Sequence, residues 1–344
     1  MVDSGIFKIV MIFSAVSGSL ITKVRCVETE ASKGAQKCSM GLSAKARQPV
    51  LRHFVINFFA VVSTFLLPWP LLAHEFWIEP SSFQPELNKS ITADLVVGTD
   101  FLGVSEIYVP DQIEVFALLG PMVEKPIERN KITGRYGDRP AATMAVNKAG
   151  LYVILHQTAP IYLTYLAADK FDRFAREKGF ENALTEHQKR GLSLTKITEQ
   201  YQRFAKSLIA VGDAGSASMA KDRHLGLAIE LVAEVNPYQT PPPKIMPIRL
   251  FAAGKPLANA QITVFTRHNP RDVESTKYQT DTNGRANFPL LPGRDYLVDS
   301  VILRPPTGSN TIGGRPAAMW ESLWASLTFQ IPGGLIYLSR WTLE

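Results

Sequence analysis

Short apolar segments closed by Gly, Pro or Asn recur along this chain, and they restrict it to a mainly β architecture. ITADLVVGT (91–99), IEVFALLG (113–120) and LYVILHQT (151–158) have the length and composition of strands. Their alternation of apolar and polar residues is imperfect, as in strands that pack inside a sandwich. Residues 166–211 change character. Phe171 and Phe174 are three apart, and Gly179 and Gly191 stand where helices stop. Ile197, Tyr201, Phe204 and Leu208 recur at helical spacing with Lys and Glu on the other face. That spacing predicts an insert of two or three helices whose aromatics pack the core.

Residues 212–226 are small and polar, which suits a loop, and 227–235 resume a strand that Asn236 and Pro237 turn. The stretch 239–244, with three consecutive prolines, is the expected domain boundary. Beyond it, IMPIRLFA and ANAQITVFT flank Gly254, Lys255 and Pro256 as a hairpin-like pair. Asn283-Gly284, preceded by Asp281 and Thr282, is a strong hairpin signal. RANFPL and YLVDSVIL follow as strand segments, 305–319 is a Gly/Pro-rich loop, and WESLWASLTF (320–329) is a closing strand. This second half resembles transthyretin-like and carboxypeptidase-regulatory-like Ig-type sandwiches, in which the Asp-x-x-Gly turn is structural. The expected fold is mainly β: two β-sandwich (Ig-like/transthyretin-like) domains at 74–238 and 244–329, a short helical insert at about 166–211, and a tail at 330–344.

The region before residue 74 reads as a leader. Arg47 and Arg52 precede an apolar run at 55–67, Pro68 and Pro70 break it, and Ala73 offers a small residue for cleavage. This order of charge, apolar run and small residue is that of a secretory signal. The alternative is an uncleaved anchor, although a membrane span takes about 20 apolar residues. Met40 is a natural start for such a signal, with 1–39 as an extension. Both cysteines, Cys26 and Cys38, fall inside this region, so an exported body has no disulfide and no thiolate chemistry.

Charge excludes nucleic acid. The chain carries 37 Lys and Arg against 31 Asp and Glu, but 8 of those bases and only 3 of the acids precede residue 74. The remaining body is close to neutral and has no electrostatic footprint for DNA or RNA.

Catalytic signatures are absent: there is no Gly-x-Ser-x-Gly elbow, phosphate-binding loop, His-Glu-x-x-His or dinucleotide fingerprint. No spacing selects a pair of carboxylates, and the expected protein is not an enzyme. One site has a specific physical argument. Cleavage after Ala73 makes His74 the first residue, and its free amine and imidazole can chelate one metal ion. Glu75 can add an oxygen, and His156 or His268 a further imidazole. Imidazole suits nickel, cobalt, copper and zinc. His187 and His224 read as satisfied or surface histidines, and Trp77, Trp320 and Trp324 as core aromatics.

The run Leu-Ala-His-Glu-Phe-Trp-Ile-Glu-Pro (72–80) resembles the start of a bacterial periplasmic family catalogued as a domain of unknown function. That family is also described as a periplasmic component of nickel or cobalt uptake. The similarity continues through 168–171, 201–206, 225–227, 230–238, 254–256 and 280–284, and ends in 320–329. It implies a periplasmic sandwich protein linked to nickel or cobalt uptake, a membrane permease as partner, and His74 as a metal ligand. Many relatives carry a His in the strand matching 296–304, where this chain has Ile302. The rival expectation is an extracytoplasmic Ig-like module that binds a protein or glycan, with 305–319 as its contact surface.

Overall fold

The computed structural model describes residues 74–121, 130–212, 220–307 and 317–333, together with four short strands before residue 26. Among those four, Val10–Ile12 pairs antiparallel with Lys23–Arg25, and Ala15–Val16 with Ser19–Leu20. The apolar run at 55–67, the cleavage point after Ala73, the middles of the loops at 212–226 and 305–319, and the tail past 333 lie outside the described residues.

From residue 74 onward the chain is mainly β. The first strands are β1 (Glu75–Pro80), β2 (Ser90–Thr99), β3 (Leu102–Glu106), β4 (Ile113–Leu119), β5 (Asn130–Lys131), β6 (Ala142–Ala145), β7 (Gly150–Thr158) and β8 (Ile161–Ala167). Helices α1 (Ala168–Glu177) and α2 (Ala183–Lys189) follow, then the long strand β9 (Thr195–Val211). The later strands are β10 (Ile229–Ala233), β11 (Ile245–Ala252), β12 (Lys255–Pro256), β13 (Gln261–Asn269), β14 (Asp272–Gln279), β15 (Arg285–Pro289), β16 (Arg294–Arg304) and β17 (Trp320–Ile331).

Three sheets result. The central one runs β14-β13-β16-β17-β9-β7-β4-β5, with β8 paired to the first half of β9. All its neighbours are antiparallel except β9 and β17, which run parallel from Glu199↔Trp320 to Ser207↔Thr328. A smaller sheet has β2 at its centre, β1 along one edge, and β3 and β6 sharing the other. The third sheet centres on β11, with β10 on one side and β12 and β15 on the other. The central sheet therefore crosses the 239–244 stretch and draws strands from both sides of it.

Strand alternation assigns the two small sheets to opposite faces. Phe116, His156, Ala205, Ser326, Asp299 and Thr263 lie in one row across the central sheet; the next row, Ala117, Leu155, Lys206, Leu327, Val298 and Val264, faces the other way. The first face carries β1. Small residues, Ala205 and Ser326, underlie it, and Thr328 Oγ1, on the same face, donates to the Ile78 carbonyl at 2.8 Å. The second face carries the β11 sheet: Tyr296 stacks on Phe288 with ring centres 6.2 Å apart. Lys206 points into the same layer, fully buried, and donates to Asp222 at 2.8 Å, Glu230 at 3.1 Å and the Leu231 carbonyl at 3.1 Å.

The helical part is shorter than expected. Phe171, Phe174 and Ala175 form the buried stripe of α1 at helical spacing. The helix ends in a Schellman motif: Phe180 N–H donates to the Ala175 carbonyl at 2.8 Å and Gly179 N–H to Arg176 at 3.0 Å, with Gly179 at φ +88°. Phe171 lies 5.3 Å from Trp320, and Phe174 stacks on Trp324 at 5.6 Å, so both tryptophans are core. The expected third helix, built on Ile197, Tyr201, Phe204 and Leu208, is instead strand β9. Its second half is buried on both faces, which hides the two-residue period.

Two further expectations change. IMPIRLFA and ANAQITVFT do not pair: β11 turns through Ala253 and Gly254, both at positive φ, into the two-residue β12, and β13 joins the central sheet. The Asn-Gly turn does not close a hairpin either. It carries the chain from β14 in the central sheet to β15 in the β11 sheet. Among the described residues no helix is long and apolar enough to cross a membrane.

Candidate functional site

Residues at the start of β1 and on β7 and β9 line an open cavity of about 350 Å³, with β3 and the segment after it along one side. His74, Phe76, Glu106, His156, Tyr201 and Arg203 are among its polar and aromatic lining, and Leu95, Val97 and Ile113 are among its apolar walls. The volume lies in the range of small-molecule pockets, about 300–1,000 Å³. Alternation along β1 explains which of its residues take part. His74 and Phe76 turn to the cavity, and Glu75 and Trp77 turn away.

His156 is almost completely buried at 2% exposure. Its ring lies between Phe76 and Phe116, each 5.1 Å away centre to centre. Neither ring nitrogen has a hydrogen-bond partner. Burial, and then the nearby Arg203 cation, push its pKa down to about 3, so it is a neutral imidazole. A buried polar group without partners is uncommon, and here it borders a cavity.

Arg203 sits two residues before Ala205, the register partner of His156, on the same face. Its guanidinium reaches the His74 carbonyl at 3.4 Å and lies over the rings of Phe76, at 5.3 Å, and Tyr201, at 5.0 Å. Its Nε is buried without a partner. Burial lowers its pKa from the ordinary arginine value, although the starting point is so high that it stays charged. Among the described residues no carboxylate lies within ion-pair distance of it.

Of the four expected ligands, the fold brings two together. His74 and His156 share the cavity. Glu75 does not join them: it points the other way, is buried, and accepts from Lys178 Nζ at 2.6 Å. The same ammonium donates to Asp299 at 3.0 Å. Burial raises Glu75 to about pKa 7 against the pull of Lys178, and the Asp299 charge adds to the rise. For Lys178, burial opposes the charge, but Asp299 and Glu75 outweigh it and hold the pKa above the usual lysine value. His268 is exposed near the end of β13 and does not line the cavity. Among the described residues no three His, Cys, Asp or Glu side chains gather closely enough to hold a metal ion by themselves.

Two further histidines, His187 and His224, have other partners. His187 is buried: its Nδ1 accepts from Trp320 Nε1 at 2.9 Å, which leaves Nε2 to donate to the Ser193 carbonyl at 2.8 Å. His224 stacks on Phe251 at 4.3 Å and approaches Glu230 at 3.5 Å. Ile302 is the position where the family resemblance implied a His. It is of the opposite parity to Asp299 and packs on the main core, so a His there would face the β11 layer and not this cavity. Sequence reasoning missed Arg203, Tyr201 and Glu106. Arg203 was obscured because 195–211 reads as a helix with a polar face, where an arginine is unremarkable.

Among solved structures, the D0-D1 domain of intimin aligns with 74% of this chain and 97% of its own, at 12% identity and a TM-score of 0.19. A score that low carries no inference. No curated protein matches the chain significantly. Residues 71–302, more than half of the chain, match the profile of a domain of unknown function, and the chain therefore belongs to the DUF4198 family.

Proposed function

We propose that this protein is a periplasmic, non-enzymatic accessory of transition-metal uptake that captures nickel or cobalt in the cavity between His74 and His156 and passes it to a membrane permease. The observation that carries this reading is His156: a buried imidazole with two unpartnered nitrogens at the edge of a cavity that also holds His74. Imidazole is a good ligand for these borderline ions. The backbone of His74 is at the cavity too, since its carbonyl meets Arg203. Cleavage after Ala73 brings the new α-amine there, next to its own imidazole. Glu106, which lines the same cavity, replaces Glu75 as the candidate oxygen donor. Raw affinity favours copper among the divalent ions, so a nickel or cobalt role depends on which metal is supplied.

The test is calorimetric titration of the processed protein, beginning at His74, with nickel, cobalt, copper and zinc. The expected result is one-to-one binding that weakens about tenfold or more in His156→Phe and in a sample with one extra residue before His74. No binding of any of the four ions overturns the reading.

One observation favours the alternative, an interaction module. Among the described residues β3 pairs only with β2, and its Leu102 and Val104 are exposed, Val104 at 67%. An open edge with apolar side chains accepts an added strand from a partner. Charged substitutions at Leu102 and Val104 that abolish partner capture, with metal binding intact, distinguish this reading from the first.

A further inference from the structure

Arg203 is the part of the cavity that a site for a bare metal ion does not need. Its guanidinium is permanently charged, lacks an ion-pair partner among the described residues, and borders the same space as His74 and His156. A bare dication entering there meets like charge. Arg203 is half-buried, with Glu106, Asp299 and Glu199 acting on it only at longer range, and a cation drawn out of water is costly until an anion faces it. The acid in the lining, Glu106, is exposed and outside ion-pair distance of Arg203. The space itself, about 350 Å³, is that of a small organic molecule rather than one ion. Two imidazoles fill only part of the four to six positions these metals use. Tyr201 and Thr158 add hydroxyl groups to the same lining.

We propose that the cavity takes its metal as a complex with a small organic carboxylate: Arg203 grips the carboxylate, and His74 and His156 bind the metal. This rests on the metal reading above and adds the form in which the metal arrives. A planar guanidinium matches a carboxylate through two parallel N–H donors. Carboxylates that carry a second oxygen or nitrogen donor chelate nickel and cobalt, so one molecule answers both halves of the cavity. No bond is made or broken beyond metal coordination.

The experiment titrates nickel into the processed protein with and without citrate, and in parallel with inorganic phosphate. Citrate competes for nickel in solution, so the two alternatives have opposite signs. A bare-ion site loses apparent affinity in citrate, whereas a chelate site gains it. The expected result is a gain of about tenfold with citrate and none with phosphate. Arg203→Met abolishes the gain, and Arg203→Lys, which keeps the charge without the fork, restores only part of it. Equilibrium dialysis of labelled citrate against the wild-type protein is the second measurement, independent of whether the variants fold: citrate is retained one-to-one when nickel is present. Nickel binding that citrate weakens overturns this inference and leaves the metal reading standing. A gain with phosphate equal to that with citrate overturns the carboxylate. Citrate that is not retained while nickel binds overturns this inference alone, and no nickel binding with or without citrate overturns both.

Discussion

Lys178 Nζ donates to Glu75 Oε1 at 2.6 Å across 103 residues of sequence. The lysine is the residue that caps α1, and the glutamate opens β1, so this pair joins the helical insert to the first strand. Asp299 of β16 completes the group, and Lys178 also lies 4.9 Å from the Trp324 ring. Each member is nearly inaccessible, at 4% or less of side-chain exposure.

Removing the ammonium leaves two carboxylates buried without a countercharge. Lys178→Met is expected to destabilise the protein by about 3–5 kcal/mol, the usual cost of breaking a buried ion pair from one side. Urea unfolding at neutral pH measures it.

Glu75 contributes a pH dependence of definite sign. Its folded pKa, about 7, lies above the ordinary 4.5, so between those values the folded state holds a proton that the unfolded state has lost. Stability from this group is full below pH 4.5 and falls as pH rises toward 7. Glu75→Gln removes that fall. The difference in unfolding free energy between variant and wild type is expected to shift by up to about 3 kcal/mol between pH 5 and pH 8.

His156 acts in the opposite direction. Its folded pKa, about 3, is below the ordinary 6.5, so acidification protonates the unfolded chain first. Stability is full above pH 6.5 and declines as pH falls toward 3. His156→Phe, which extends the ring cluster of Phe76 and Phe116, should remove about 2 kcal/mol of the loss between pH 7 and pH 5. Denaturant unfolding at the two pH values, with a metal chelator present, is the check.

Gly284 is fixed by its backbone. Its φ is +71°, and a Cβ there would stand 2.7 Å from the Leu250 carbonyl oxygen and 2.9 Å from Leu257 N. Asp281 Oδ1 accepts from the N–H groups of Asn283 and Arg285, both at 2.8 Å, and holds the turn from the other side. Gly284→Ala is expected to cost about 1–3 kcal/mol from the dihedral, and more from the clash. Thermal unfolding reads it, with no change expected in metal titration.

Local chemistry was legible where one residue type suffices. The strands over 91–99, 113–119 and 151–158 follow from their apolar runs and punctuation, and Gly179 does end a helix. The Asp281 to Gly284 turn has the expected turn chemistry, but a turn specifies a change of direction and not which sheet receives the next strand. Strand β9 was illegible because Lys206, a charged residue at a position that looks like a polar helical face, is buried with Asp222 and Glu230 as partners. Neither partner is near it in the pattern. That same misreading concealed Arg203. His74 and His156, singled out by residue type, do line one cavity. The loss of Glu75 from the site was readable in principle, since neighbours on a strand point to opposite sides. Its destination was not, because Lys178 and Asp299 lie 103 and 224 positions away.

The parallel pairing of β9 with β17 also sets the order of biogenesis. The slot between β9 and β16 is filled by a strand that begins about 120 residues after its register partner Glu199. Until β17 is synthesised, both neighbours present open edges, and closing the sheet requires a contact of very large sequence separation. A chain that stops short of Trp320 has every other layer available but a gap in its middle sheet. A chain truncated before Trp320 is therefore expected to borrow a strand from a second copy or to aggregate, rather than to fold as a smaller domain.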